Sequence, residues 1–232
     1  MPVFWLPDNS LSFPNPALAN KDGILAIGGD LSPERLLKAY ELGVFPWFNP
    51  EDPIIWWSPD PRFVLFPDEL KIAKSMRPYF NKKRFQLTAD QRFEEVMRQC
   101  QQAKRKGQSG GTWITEEMIE GYVELHKQGF AHSVEVWQEG ELVGGLYGID
   151  LGKCFFGESM FAKVSNASKF GFIALVKELK AREYLLIDCQ QPTRHLKSLG
   201  ARAIRRNDFL DILELNQKND RVAESWGHIF SI

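Results

Sequence analysis

Proline sets its own φ and donates no backbone hydrogen bond, so a stretch rich in it can build neither long helices nor central strands. Eleven of the 13 prolines and four of the 7 tryptophans fall before residue 68 of this 232-residue chain. The first quarter is therefore expected to be a small Pro/Trp-rich α+β domain, residues 1–62, ahead of a larger α+β domain, residues 63–232. Within the small domain, Asp30-Leu31-Ser32-Pro33-Glu34 predicts a short helix with Ser32 as N-cap, Pro33 at its first position and Gly43 at its end. Phe45-Pro46-Trp47-Phe48 and Trp56-Trp57-Ser58-Pro59-Asp60-Pro61-Arg62 read as stiff, non-helical aromatic walls, or as packing between the two domains.

Past residue 68 the pattern is regular. A helix is expected over 90–104, a mobile loop over 107–111, and a second helix capped by Thr115 and ending near Gly129. Strands over 133–137 and 142–149 flank Gln138-Glu139-Gly140-Glu141, a hairpin signature, and 153–161 supplies the next strand. A helix from Asn166 to about Glu183, a buried strand over 185–189 and a short helix over 194–199, stopped by Gly200, complete the order. No apolar run approaches the ~20 residues of a membrane span, and no signal-peptide pattern opens the chain, so a cytoplasmic protein without membrane contact is expected. Cys100, Cys154 and Cys189 are far apart with no CxxC pair, which offers neither a zinc site nor a disulfide framework. No metal or organic cofactor is implied.

Two of these strands run from apolar into polar sequence. Cys154-Phe155-Phe156 leads into Gly157-Glu158-Ser159-Met160-Phe161, and Tyr184-Leu185-Leu186-Ile187 into Asp188-Cys189-Gln190. A carboxylate left unpaired in an interior strand costs several kcal/mol or shifts its pKa, which makes Glu158, Asp188 and Gln190 the candidate reaction-centre residues. The alternative is that both carboxylates cap helices or pair with a basic residue. Strand alternation puts Asp188 and Gln190 on one face and turns Cys189 away. Gly157 predicts a bulge that ends strand pairing and lets residues on both its sides face one pocket. A covalent route through Cys189 or Ser159 has no histidine placed by the sequence to activate it.

The order of elements resembles the acyltransferase fold of the GNAT type, in which a mixed sheet splays between two strands; here the split falls between 153–161 and 184–190. The Gly-rich pyrophosphate loop of coenzyme A enzymes of that fold has no counterpart in Phe161-Ala162-Lys163-Val164-Ser165-Asn166-Ala167-Ser168-Lys169, which argues against a coenzyme A site.

Specific blocks go further: Gly28-Gly29-Asp30-Leu31, Phe45-Pro46-Trp47-Phe48, residues 56–62, Gly111-Thr112-Trp113-Ile114, residues 132–137, 142–148, 156–161 and 166–169, and 186–190 with 195–200. On these the chain resembles the bacterial leucyl/phenylalanyl-tRNA protein transferases over nearly its whole length. The resemblance implies transfer of leucine or phenylalanine, less readily methionine, from aminoacyl-tRNA to proteins with N-terminal arginine or lysine, which marks them for N-degron proteolysis; a monomer is expected. By position it implies that Trp47, Trp113, Tyr122, Leu146, Phe155, Ser159, Phe172, Ile187 and Thr193 line or border the site of the aminoacyl side chain and terminal adenosine. Thr193 stands where some members have asparagine, and Phe172 where some have a smaller aliphatic residue. Glu158, Asp188 and Gln190 match the polar centre.

The expected relay has Asp188 accepting a hydrogen bond from the side-chain amide of Gln190, whose carbonyl oxygen orients the acceptor amine; Glu158 holds a substrate amino group or the acceptor's cationic side chain. With a net charge of −1 the molecule is no generic polyanion binder, so tRNA contact requires local clusters. Lys74, Arg77, Lys82, Lys83 and Arg84 are the candidates for the tRNA backbone, with further groups at 104–106 and at Arg202, Arg205 and Arg206.

Overall fold

A computed structural model of the chain describes residues 3–81, 84–103, 112–219 and 223–230. Lys82, Lys83, the basic group at 104–106 and the loop expected over 107–111 lie outside the described residues.

The proline-rich beginning forms short strands, as a chain repeatedly deprived of donors must. β1 (Phe4–Leu6), β2 (Ile24–Gly28), β3 (Phe45–Pro46) and β4 (Ile55–Trp57) make a small sheet in the order β1-β2-β4-β3, and α1 (Pro33–Glu41) packs with it. Of the aromatic walls at 45–48 and 56–62, Phe45-Pro46, Trp56-Trp57 and Arg62 are paired strand, and the remainder is irregular. Trp56 is fully buried, and its indole N–H donates to the Gly28 carbonyl at 2.8 Å.

The chain then enters a seven-stranded sheet through β5 (Arg62–Leu65). α2 (Arg77–Asn81), β6 (Gln86–Ala89), α3 (Phe93–Gln102) and α4 (Glu116–Lys127) follow, and the Thr115 hydroxyl caps α4 by accepting from the Met118 N–H. β7 (Ala131–Gln138) and β8 (Glu141–Leu151) are joined by Glu139 and Gly140, both at positive φ, the turn geometry that matches strand twist. β9 (Cys154–Ala162), α5 (Ala167–Ala181) and β10 (Leu186–Gln190) form the crossover that a parallel strand pair needs. α6 (Arg194–Ser198), β11 (Arg202–Ile204) and α7 (Arg206–Asn216) complete the sheet order β11-β5-β10-β9-β8-β7-β6. β9 and β10 are parallel and every other neighbour pair is antiparallel, so the mixed sheet and the α+β class are as expected.

Alternation sorts side chains into two layers. Val134, Leu146, Phe155 and Ile187 pack beneath α5, while Tyr147, Phe156 and Leu186 join α3, α4 and the small sheet on the other face. The small sheet has no separate core of its own, since Leu36, Tyr40 and Trp56 belong to this second layer.

Two irregularities open the sheet. β9 pairs with β10 only from Cys154↔Leu186 to Phe156↔Asp188. Just beyond, the β8–β9 register passes from Gly148↔Gly157 to Tyr147↔Ser159, leaving Glu158 as the extra residue of a bulge, one position after the glycine that predicted it. The bulge reverses the alternation: Phe155 and Phe161, six residues apart, lie in different layers. The β10–β5 register likewise skips Cys189, and Gln190 sits at φ 57°. Gly148 makes the first bulge possible, because a Cβ there would lie 2.2 Å from the Phe156 carbonyl oxygen. Among the described residues no helix is long and apolar enough to cross a membrane.

Candidate active site

Where β9 and β10 part, a cavity of about 460 Å³ opens. Leu146, Phe155, Phe172, Ile187 and Leu196 give it an apolar floor, and Phe45, Trp47 and Trp113 border it with aromatic rings. Glu158, Ser159, Asp188, Gln190 and Thr193 supply a polar edge. Eleven residues singled out from sequence therefore border one cavity. Tyr122 does not. It is fully buried behind Glu158, to which its hydroxyl donates at 3.3 Å.

The relay expected between Asp188 and the Gln190 side chain is not the one the fold makes. Asp188 turns to the sheet face opposite the cavity floor and accepts from Arg62 Nε at 2.9 Å and Nη2 at 2.5 Å. Both partners are at most 1% exposed, and the guanidinium lies 4.6 and 4.7 Å from the ring centres of Phe45 and Phe209. Asp188 also accepts the backbone N–H of Gln190 at 2.9 Å, which holds the left-handed turn at the strand's end. Pairing with a basic residue, the alternative the sequence left open, is thus realised for Asp188. Three hydrogen bonds thus tie the Asp188 carboxylate to Arg62 and to the end of β10.

Glu158 takes the place intended for Asp188. It accepts the Gln190 side-chain N–H at 2.6 Å, so the amide's carbonyl oxygen is left without a partner among the described residues. Burial pushes the Glu158 carboxyl up to about 7, against the hydrogen bonds from Tyr40, Gln190 and Tyr122 that pull it down. Tyr40 and Tyr122 share a short hydroxyl–hydroxyl contact, so a buried polar chain runs from α1 of the small sheet's layer to Glu158 at the cavity's polar edge.

Cys189 departs from expectation too. It lies on the same face as Ile187, which is the face of the cavity floor, so the thiol borders the cavity instead of turning away. Burial pushes that thiol up, beyond the range in which a thiolate would form at neutral pH. His195, near the start of α6, also lines the cavity; burial and then the nearby Lys169 charge lower its pKa and keep the ring neutral. Sequence gave no sign of this placement beyond the position of His195 five residues after Gln190. Among the described residues no cluster of three His, Cys, Asp or Glu could hold a metal ion.

The basic segment adjoins the same region. Lys74 and Arg77 are exposed, and the Arg84 guanidinium lies over the Tyr79 ring. Tyr79 and Phe80 are tied to the start of α5: the Asn166 side-chain amide donates to the Tyr79 hydroxyl at 3.0 Å, and the Phe80 and Phe170 ring centres are 4.4 Å apart.

An apolar floor that sorts side chains by shape, aromatic rims that stack bases, and a polar edge that orients an amine together suit aminoacyl transfer. The family model described as leucyl/phenylalanyl-tRNA protein transferase matches residues 64–214, and that of its N-terminal domain matches residues 29–60. A leucyl/phenylalanyl-tRNA–protein transferase of Flavobacterium johnsoniae is 62% identical over 204 residues, covering 88% of this chain and 96% of its own. One of Pseudomonas fluorescens is 56% identical over 219 residues, covering 93% and 96%. Among solved structures, L-PGS from Bacillus licheniformis superposes with a TM-score of 0.41 at 12% identity, over 70% of this chain and 50% of that one. With two family models and relatives of this identity matching along most of its length, the chain belongs to the leucyl/phenylalanyl-tRNA protein transferase family.

Proposed function

We propose that the chain moves leucine or phenylalanine, less readily methionine, from aminoacyl-tRNA to the α-amine of proteins that begin with arginine or lysine, marking them for N-degron proteolysis. The observation that carries the site assignment is the Glu158–Gln190 hydrogen bond at the open end of the strand pair, directly beside the apolar cavity. The amino-acid side chain occupies the floor between Phe155, Phe172 and Ile187, and the terminal adenosine stacks against Trp47 or Trp113. Residues 1–62 act as a unit that supplies Phe45 and Trp47 of the aromatic rim, with Lys74, Arg77, Lys82, Lys83 and Arg84 toward the tRNA backbone. Charged tRNA is cytoplasmic, which puts the reaction there; a single chain encloses the cavity, which suits a monomer.

The chemistry is displacement at an ester that is already activated. Glu158 holds the Gln190 amide N–H, and the amide oxygen accepts a hydrogen bond from the incoming amine, aiming its lone pair at the carbonyl carbon. A peptide amine of pKa roughly 7.7 to 8.0 is partly neutral at physiological pH, so no strong base is needed. The C–N bond forms, the bond from the acyl carbon to the ribose oxygen breaks, and the amine proton ends on that ribose oxygen. Arg62 and Asp188 keep the end of β10 where Gln190 can do this.

The test mixes purified protein, leucyl-tRNA and a peptide beginning with arginine, and looks by mass spectrometry for the gain of one leucyl group. Binding of charged tRNA without that gain defeats the proposal in favour of an RNA-binding module. Acylation from acetyl-CoA in its place would make the protein a small-molecule N-acyltransferase.

A further inference from the structure

Three stretches of this chain contain no carboxylate: residues 70–89, 159–177 and 189–207. They hold 14 of the 29 Lys and Arg residues and none of the 30 Asp and Glu residues, so the rest of the chain carries 15 cations against 30 carboxylates. Far apart in sequence, they meet in space. The Lys71 N–H donates to the Leu199 carbonyl at 2.9 Å, which ties the first stretch to the third. The Asn166–Tyr79 and Phe80–Phe170 contacts tie the first to the second. Ser168 from the second and Thr193 and His195 from the third line the cavity together.

Pairing follows the same division. Lys38, Arg98, Lys127 and Arg182, all outside these stretches, have glutamate partners. Lys74, Arg77, Lys163, Lys169, Arg194 and Lys197 have no carboxylate partner among the described residues, while Arg202 and Arg205, farther along the third stretch, do. Cations without counter-charges keep their whole attraction for an anion that arrives. The face is not built for a lipid surface: none of the exposed large apolar side chains, Val3, Trp5, Leu11, Leu18, Trp47 and Leu215, belongs to the three stretches, and of them only Trp47 borders the cavity.

We propose that Lys163, together with Lys169, Arg194 and Lys197, whose sequence neighbours Ser168, Thr193, His195 and Leu196 line the cavity, holds the backbone phosphates of the nucleotides just before the esterified 3′ end, and that these cations join Lys74, Arg77 and Arg84 in one polyanion-binding face. The inference rests on the aminoacyl-tRNA reading above and adds the path of the RNA strand across the protein.

The test replaces three exposed side chains together, Lys163→Gln, Arg194→Gln and Lys197→Gln, and compares leucyl-tRNA with leucyl-adenosine, a donor that has no phosphate. Losing three phosphate contacts lowers the slope of log KM against log salt by about 2 to 3; between 50 and 200 mM salt the wild-type KM for leucyl-tRNA should climb about 20- to 40-fold more than the variant's. The kcat with leucyl-tRNA, and kcat/KM with leucyl-adenosine, should stay close to wild type. An unchanged salt slope overturns the proposal, and so does an equal loss with both donors, which would place these residues at the acyl pocket or in the stability of the fold. Loss of binding to phosphatidylserine vesicles with unaltered tRNA kinetics overturns it in favour of a membrane. Wild-type protein inert with both donors would defeat the transferase reading itself.

Discussion

Replacing Asp188 with asparagine separates holding a strand from performing chemistry. In the native site the carboxylate accepts two hydrogen bonds from Arg62 and one from the Gln190 N–H. Asparagine keeps the shape but offers one oxygen, presents N–H groups to donors, and leaves the Arg62 charge unmatched where it is 1% exposed. Removing one partner of such a buried pair costs about 3 to 5 kcal/mol, a large part of the roughly 5 to 15 kcal/mol that stabilises a domain. At about 2 to 4 °C per kcal/mol for a chain of this size, the midpoint of thermal unfolding should fall by about 6 to 20 °C. The assay is unfolding followed by circular dichroism, alongside leucyl-transfer rates measured well below both midpoints. The double variant Arg62→Met/Asp188→Asn removes both charges, and the methionine stem still fills space between Phe45 and Phe209, so it should be more stable than Asp188→Asn alone. If Asp188→Asn unfolds within about 2 °C of wild type yet transfers leucine more than about 100-fold slower, the positioning argument is wrong and the carboxylate takes part in the reaction.

Three further outcomes are expected. Glu158 has its carboxyl raised from 4.5 to about 7, so the native state binds that proton more tightly than the unfolded chain; the stabilisation is complete below pH 4.5 and disappears as pH rises through about 7. Relative to Glu158→Gln, wild-type protein should lose up to roughly 3 kcal/mol across that window, and urea titrations that give a pH-independent difference would refute the assignment. Tyr40→Phe removes a hydrogen bond that lowers the Glu158 pKa, so the carboxyl, followed by carbon NMR, should titrate at still higher pH; no movement would show that the small sheet's layer does not reach the centre. Phe172→Leu widens the cavity floor and should raise kcat/KM for phenylalanyl-tRNA relative to leucyl-tRNA, by an amount within the roughly 1 to 3 kcal/mol that a hydrophobic pocket discriminates; a ratio that stays put removes Phe172 from specificity.

Elements governed by neighbours in sequence were legible without coordinates. Thr115 and the helix it caps, the Glu139-Gly140 turn with its flanking alternation, and α5 each follow from interactions a few residues long. The crowding of prolines likewise located the change to another kind of architecture. β5, β6 and β11 escaped detection, since strands of three or four residues exist only through the partners that pair with them; α7, a helix, was missed as well.

Which residues gather at one cavity was also readable, because the polar interruptions of two apolar strands and the family blocks mark the same positions: Glu158, Asp188 and Gln190 all border it. Who bonds to whom was not. Asp188 meets Arg62 from 126 residues away, and Gln190 meets Glu158 across the seam between two strands. A buried charge takes the partner that the sheet order sets beside it, and sheet order is a property of the whole chain. Period-two alternation, the rule that turned Cys189 away, assigns faces but cannot say which face holds a cavity, and it lapses at a bulge such as the one at Glu158. Sequence by itself therefore determined the family, the class of fold and most of the residues that border the cavity; the tertiary structure decided which of them bond to one another, because hydrogen-bond partners are chosen by distance in space.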